Sequence, residues 1–292
     1  MSVSQEVELL VDARAEVGEG PVWDDARERL LWVDILAGRL HTCDPVTGND
    51  AWRDVGQPLG AVALRARGGL VLAVRDGFAL LEPSGELRLV AEVEADAPAN
   101  RMNDGACDRA GRFWAGTMAF EAVPGAGSLY RLDPDLRVTK VLGDVTISNG
   151  LGWSPDDRRM YYVDSPTQTI DAFDYDAATG AIENRRALAT VADELGFADG
   201  LTVDAEGFLW VAVFGGGRLH RYAPDGSLER AVRLPVEQPT KPAFGGPGLE
   251  ELYVTSAWHG LSDAERQRQP TAGGVLRLRP GVSGIVGNRF GG

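Results

Sequence analysis

The feature that most constrains this chain is a repeat. Six short segments resemble one another: Leu30-Leu31-Trp32-Val33, Leu70-Val71-Leu72-Ala73, Arg112-Phe113-Trp114-Ala115, Met160-Tyr161-Tyr162-Val163, Phe208-Leu209-Trp210-Val211 and Glu251-Leu252-Tyr253-Val254. Each follows a turn rich in Gly, Pro or Asp, such as Gly68-Gly69 or Ser154-Pro155-Asp156-Asp157. Upstream of each lies an anchor, Gly20, Gly60, Gly105, Gly150, Gly200 or Pro242, at intervals of 40, 45, 45, 50 and 42 residues. Self-similarity at that period marks an array of supersecondary units. The composition agrees: 37 glycines in 292 residues, with no collagen-like period, supply many tight turns.

Within a unit the pattern is that of short strands, four to six apolar, β-branched or aromatic residues closed by a turn signal. A third strand recurs at Gly38–Thr42, Ser128–Leu132, Arg218–Tyr222 and Gly274–Leu278, and Pro turns follow most of them. Alternation in these strands predicts one packed and one polar face. A fourth is expected at Leu87–Ala91, Arg186–Thr190 and Leu228–Val232. Four strands per unit is a propeller blade, so the expected fold is all-β, one six-bladed β-propeller domain spanning residues 1–292. A two-sheet sandwich fits the even spacing less well. After Pro280 only a Gly-rich tail remains, so the last blade lacks its own outer strand. Val7-Glu8-Leu9-Leu10 is expected to supply it and close the ring. Ser262-Asp263-Ala264-Glu265 reads as a capping box opening a short helix, most simply a surface connection.

Charge and composition narrow the partners. A net charge of −14 repels phosphate backbones and anionic lipid surfaces, so neither nucleic acid nor membrane is an expected partner. Two cysteines, Cys43 and Cys107, are too few for a disulfide framework or a cysteine zinc site. Met1 to Glu16 has no basic region before an apolar one, and no apolar run reaches membrane-spanning length. The cytoplasm is the expected compartment. Oligomeric state is not legible.

The repeats break their own rule at one phase. In a propeller the first strand of every blade lines the central channel, so equivalent positions converge on the axis. The residues just before the anchors are Glu19, Leu59, Asp104, Asn149, Asp199 and Lys241, five of the six polar or charged. Any one Asn-Gly or Asp-Gly is most simply a turn. Several at one axis are different, because crowded carboxylates repel unless a cation neutralises them. Glu, Asn and Asp offer hard oxygens, suited to calcium, magnesium or manganese. Zinc or iron normally recruits imidazole, and of three histidines His41 and His220 fall in third strands away from the axis. His259 is a surface or packing histidine in its simplest reading, with a base role as the alternative. Arg101 and Asn103 place donors beside the expected cation, although Arg101 equally fits an ion pair with Asp104 or Glu121. No Gly-x-Ser-x-Gly elbow, His-Glu-x-x-His motif or strand-linked Gly-x-Gly-x-x-Gly occurs. Trp32, Trp114 and Trp210 are expected in the core.

Taken in order, several stretches resemble the senescence-marker-protein, gluconolactonase and luciferin-regenerating-enzyme family, which includes regucalcin and bacterial sugar lactonases. They are Gly18-Glu19-Gly20-Pro21-Val22-Trp23, Arg101-Met102-Asn103-Asp104-Gly105, Gly111–Met118, Ile147–Leu151, Ala172–Asp176, Asp199-Gly200 and Ala243–Gly246, and they cover essentially the whole chain. The resemblance implies a six-bladed propeller binding one divalent metal through Glu19, Asn149 and Asp199. Calcium is the first choice, with Mg2+, Mn2+, Zn2+ or Fe2+ as alternatives. It also implies substrate contacts from Arg101, Asn103 and Glu121. The implied activity is hydrolysis of aldonolactones, small-molecule cyclic esters of sugar acids, with Asp199 as catalytic base or as ligand only. Alternatives are a calcium-binding protein without catalysis and a metal-dependent esterase or organophosphate hydrolase. Lys241-Pro242 and Gly260–Gly274 look more like the bacterial lactonases than like regucalcin.

Overall fold

Each repeat folds into a four-stranded antiparallel sheet, and six such sheets make a β-propeller. The computed structural model describes residues 6–292. The innermost strands are Gly18–Asp24, Leu59–Leu64, Asn100–Cys107, Ser148–Trp153, Phe197–Val203 and Pro239–Gly245. In five blades, strand order across the sheet follows the sequence. In the sixth, Val7–Val11 pairs with Val275–Leu278, bringing Val7 opposite Leu278 and Leu9 opposite Leu276, so the N-terminal strand closes the ring as expected.

The expected polar face of the third strands is a correction. Arg218–Tyr222 is buried at four of its five positions and half-buried at the other, and the second strands are buried almost throughout. The reason is geometric: each blade packs against two neighbours, so inner strands are covered on both faces. The core is accordingly six apolar seams, one between each pair of adjacent blades. Trp32, Trp114 and Trp210 are fully buried in three of them. The outer strands are the ones most open to water. The expected ones lie at Leu87–Glu92, Ala181–Thr190 and Leu228–Arg233, and two more occur at Asp50–Asp54 and Val138–Val145.

One irregularity positions the site. In every blade the ladder between the innermost and second strands shifts register at the anchor: between Glu19 and Val22, Leu59 and Ala61, Met102 and Gly105, Asn149 and Leu151, Ala198 and Leu201, and Pro239 and Pro242. Such a bulge frees a residue from the ladder and re-aims its side chain. At Gly60 and Gly150 glycine is required because neighbouring inner strands nearly touch at the hub. A Cβ on Gly60 would sit 2.2 Å from the Asn103 carbonyl oxygen, and one on Gly150 would sit 2.7 Å from that of Asp199.

The Gly-rich tail is not idle. It bridges to Asp204 at Gly284 and to Arg65 at Phe290, crossing one end of the channel from blade five to blade two. Phe290 is fully buried in the seam between blades two and three. The capping box at Ser262 holds the helix Asp263–Arg268, whose residues are half-buried or exposed. Among the described residues, no helix is long and apolar enough to cross a membrane.

Candidate active site

At the channel end opposite the tail lies a cavity of about 700 Å³ whose lining includes Glu19, Arg101, Asn103, Glu121, Asn149 and Asp199. All six sequence-expected site residues therefore meet at one cavity, although they come from blades one, three, four and five. Five of them are buried, and only Glu121 stands exposed, on the segment after strand Phe113–Ala119. His259 also reaches the lining, but its Nδ1 lies 2.9 Å from Glu16 Oε1 and its side chain is largely exposed.

The floor is acidic and short of partners. Glu19 Oε2 accepts the Gly20 N–H at 2.5 Å, whereas Oε1 is buried with no hydrogen-bond partner. Burial above all, and then the Asp104 carboxylate, push the Glu19 carboxyl above its ordinary range, against Lys241 and Arg101, which pull it down. Asp199 is likewise raised by burial and by Glu19 and Asp104. Nearby carboxylates raise both because like charges close together in a dry site resist ionising together. Asp104 lies deeper. Its Oδ1 accepts from the Lys241 ammonium, which also donates to the Gly105 carbonyl at 3.1 Å, while its Oδ2 is unpartnered.

Beside the carboxylates runs a relay of side chains across three blades. Arg101 Nη1 donates to Asn103 Oδ1 at 2.7 Å, and Asn103 Nδ2 donates to Asn149 Oδ1 at 2.9 Å and to the Ser148 carbonyl at 2.8 Å. Asn149 Nδ2 then donates to Ser165 Oγ at 2.8 Å, and Ser165 donates to the Ala198 carbonyl at 2.7 Å. The relay fixes which way the Asn149 amide points, with its oxygen on the Asn103 side. Burial lowers the Arg101 pKa to about 10, opposed by Glu19 and Asp199, so the guanidinium stays charged at neutral pH. Arg101 pairs with neither Asp104 nor Glu121 in the manner its sequence neighbours suggested. Asp104 is held by Lys241 instead.

Sequence reasoning singled out Lys241 as axial but not as the partner of Asp104, since nothing in a linear pattern pairs positions 137 residues apart. It missed Ser165 altogether. That residue follows the second strand of blade four and belongs to no repeated motif, so no signal existed. Among the described residues no three His, Cys, Asp or Glu side chains are grouped to hold a metal ion. A cation here would therefore rest on two carboxylates, an amide oxygen and water. The donor set still fits a hard divalent ion: one carboxylate oxygen is buried and unpartnered, and two carboxyls are raised by burial and by neighbouring carboxylates.

Comparison with known proteins follows the same lines. Residues 17–258 match the family described as the SMP-30/gluconolactonase/LRE-like region. Regucalcin of Xenopus laevis is 42% identical over 297 residues, covering 99% of each chain. A luciferin-regenerating enzyme structure superposes with a TM-score of 0.92 at 36% identity, covering 99% of this chain and all of that one. A regucalcin from Agrobacterium tumefaciens, described as a calcium-binding protein, superposes at 0.94 with 32% identity and 98% of each chain covered.

Proposed function

The chain belongs to the SMP-30/gluconolactonase/LRE-like family, and from that premise we propose that it is a metal-dependent lactonase opening sugar lactones to aldonic acids. Family membership supports lactonase-type chemistry. The observation that carries the finer reading is the pair of buried carboxylates, Glu19 and Asp199, set beside the oriented amide of Asn149 at the floor of an open cavity.

Glu19, Asn149 and Asp199 would hold the ion. A divalent cation held there would supply Lewis-acid polarisation of a lactone carbonyl and compensation of negative charge. The protein's own groups do the rest. Asp199 takes a proton from the attacking water and returns it to the ring oxygen as the ester C–O bond breaks. Arg101 has Nε buried and unpartnered, and it orients the substrate by its remaining N–H donors. Glu121 reaches the substrate from the rim. Asn103 works indirectly. Both ends of its amide are already engaged, so its contribution is to hold Asn149 and Arg101 in place.

The alternative is calcium binding without turnover, which the description of the Agrobacterium relative favours. One experiment separates the two: chelator-treated protein with glucono-1,5-lactone and a pH indicator, before and after adding back Ca2+, Mg2+ or Mn2+. Acid release that follows the metal supports the lactonase. Metal binding without acid release would leave the binder.

A further inference from the structure

His259 stands at the cavity mouth and is fastened there more firmly than a surface histidine needs to be. Its backbone N–H and that of Trp258 both donate to the Glu16 carbonyl, at 3.1 and 3.2 Å, and Trp258 Nε1 donates to the Arg14 carbonyl at 2.9 Å. Val17 and Ala257 bridge the same two segments. The Glu16 side is anchored in turn to the core: the buried Asp34 carboxylate accepts the Glu16 and Val17 N–H groups, both at 3.2 Å. Order thus passes from a buried carboxylate through the Glu16 turn to the rim.

The same turn occurs in blade four, where the buried Asp164 accepts the N–H groups of Thr146 and Ile147 at 3.0 and 2.9 Å. Val17 and Ile147 therefore hold equivalent places, and both line the cavity. The residue before them differs. Thr146 Oγ1 accepts the Gly125 N–H at 3.1 Å, whereas Glu16 turns a carboxylate to the His259 ring, 2.9 Å from Nδ1. The turn itself uses only the backbone N–H at this position, so the fold does not call for an acid there. A carboxylate only accepts, so Nδ1 carries the proton, and in the neutral ring Nε2 is left as a bare acceptor. Among the described residues nothing bonds to Nε2.

A polyhydroxylated ring needs acceptors as well as donors when its hydroxyls leave water. Several lining groups are engaged already: both ends of the Asn103 amide, the Asn149 N–H, and the Ser165 and Thr240 hydroxyls. With the expected cation ligands set aside, Glu121 and His259 are the lining side chains whose acceptors remain open. They follow strands Phe113–Ala119 and Glu251–Ser256, in blades three and six, which face each other across a six-bladed ring. Building on the reading of this cavity as a lactone-hydrolysing site, we propose that His259 Nε2 is a substrate-binding acceptor for a sugar hydroxyl, with Glu16 as the positioning residue that fixes its tautomer. The site thereby selects lactones hydroxylated along the edge facing blade six, opposite the edge met by Glu121.

The test compares glucono-1,5-lactone with δ-valerolactone, the same six-membered ester without hydroxyls, on the metal-loaded protein. His259→Ala should raise KM for gluconolactone about three- to tenfold, the loss of one hydrogen bond, with kcat little changed. On δ-valerolactone the same variant should change kcat/KM by less than about twofold, since no hydroxyl is there to lose a partner. His259→Gln keeps an acceptor at similar reach and should recover part of the gluconolactone KM, and Glu16→Gln should shift that KM in the same direction as His259→Ala but less. An unchanged KM in His259→Ala, or equal losses on both lactones, would overturn the assignment and leave the lactonase reading standing. If neither lactone turned over with any divalent ion, the lactonase reading would fall and this assignment with it.

Discussion

Lys241→Met isolates the one positive charge built into the hub. Asp104 is fully buried and Lys241 almost so, and the ammonium bridges the Asp104 carboxylate and the Gly105 carbonyl. Methionine keeps much of the aliphatic stem, which passes close to Gly200, and removes only the charge. That leaves a buried carboxylate with one oxygen already unpartnered and with the Glu19 and Asp199 carboxylates close by. Breaking a buried pair from one side costs about 3–5 kcal/mol. At 2–4 °C per kcal/mol, the melting temperature should fall by about 10 °C. Replacing both partners by neutral groups removes the orphaned charge, so Asp104→Asn with Lys241→Met should recover at least half of the loss. The assay is guanidinium denaturation of the four members of the double-mutant cycle in chelator-containing buffer. A cost under about 1 kcal/mol for Lys241→Met, or additive single costs with coupling below about 0.5 kcal/mol, would refute the pairing as a stabilising contact.

Other consequences can be checked independently. Asp199→Asn should lower kcat for lactone opening by about 10²–10⁴-fold while calorimetry still detects bound metal, and an unchanged kcat would remove Asp199 as the base. Burial, with a smaller push from Arg218, lowers the His220 pKa to about 4, so the unfolded chain binds more protons between that value and about 6.5. Stability from this group is complete above pH 6.5 and drains away as pH falls towards 4, by up to about 3 kcal/mol. In His220→Gln, denaturation midpoints compared at pH 7 and pH 4.5 should therefore differ less than in the unaltered protein. Phe290→Ala empties a fully buried position in the tail and should cost about 3–5 kcal/mol in guanidinium unfolding. A loss below about 1 kcal/mol would mean that the tail is only resting on the ring.

Much of this architecture is legible in the chain because each blade repeats the same physical task. The second strands are apolar on both faces, so Leu30-Leu31-Trp32-Val33 and its counterparts stand out at any phase. Outer strands are harder to find. Asp50–Asp54 and Val138–Val145 lie at the solvent side, where neither alternation nor apolar content is needed to keep them paired. The strand Gly77–Leu81 was also hidden, since five consecutive buried residues show no period of two. Site residues were visible for a related reason. The hub accepts only small or absent side chains at the anchor glycines, so the polar residues beside five of the six anchors mark the axis. What no pattern carries is the pairing between distant blades. Lys241 with Asp104, and Ser165 with Asn149, become neighbours only when the ring closes. The tail reads as leftover glycine, although Phe290 packs as tightly as any core residue.

The central claim is that Glu19, Asn149 and Asp199 together hold one divalent ion. Calorimetric titration of chelator-treated protein with Ca2+ tests it most directly, run beside Glu19→Gln. One ion per chain, with affinity weakened about tenfold or more when the Glu19 charge is removed, is the expected result. No detectable binding of Ca2+, Mg2+ or Mn2+, or binding indifferent to Glu19→Gln, would contradict it.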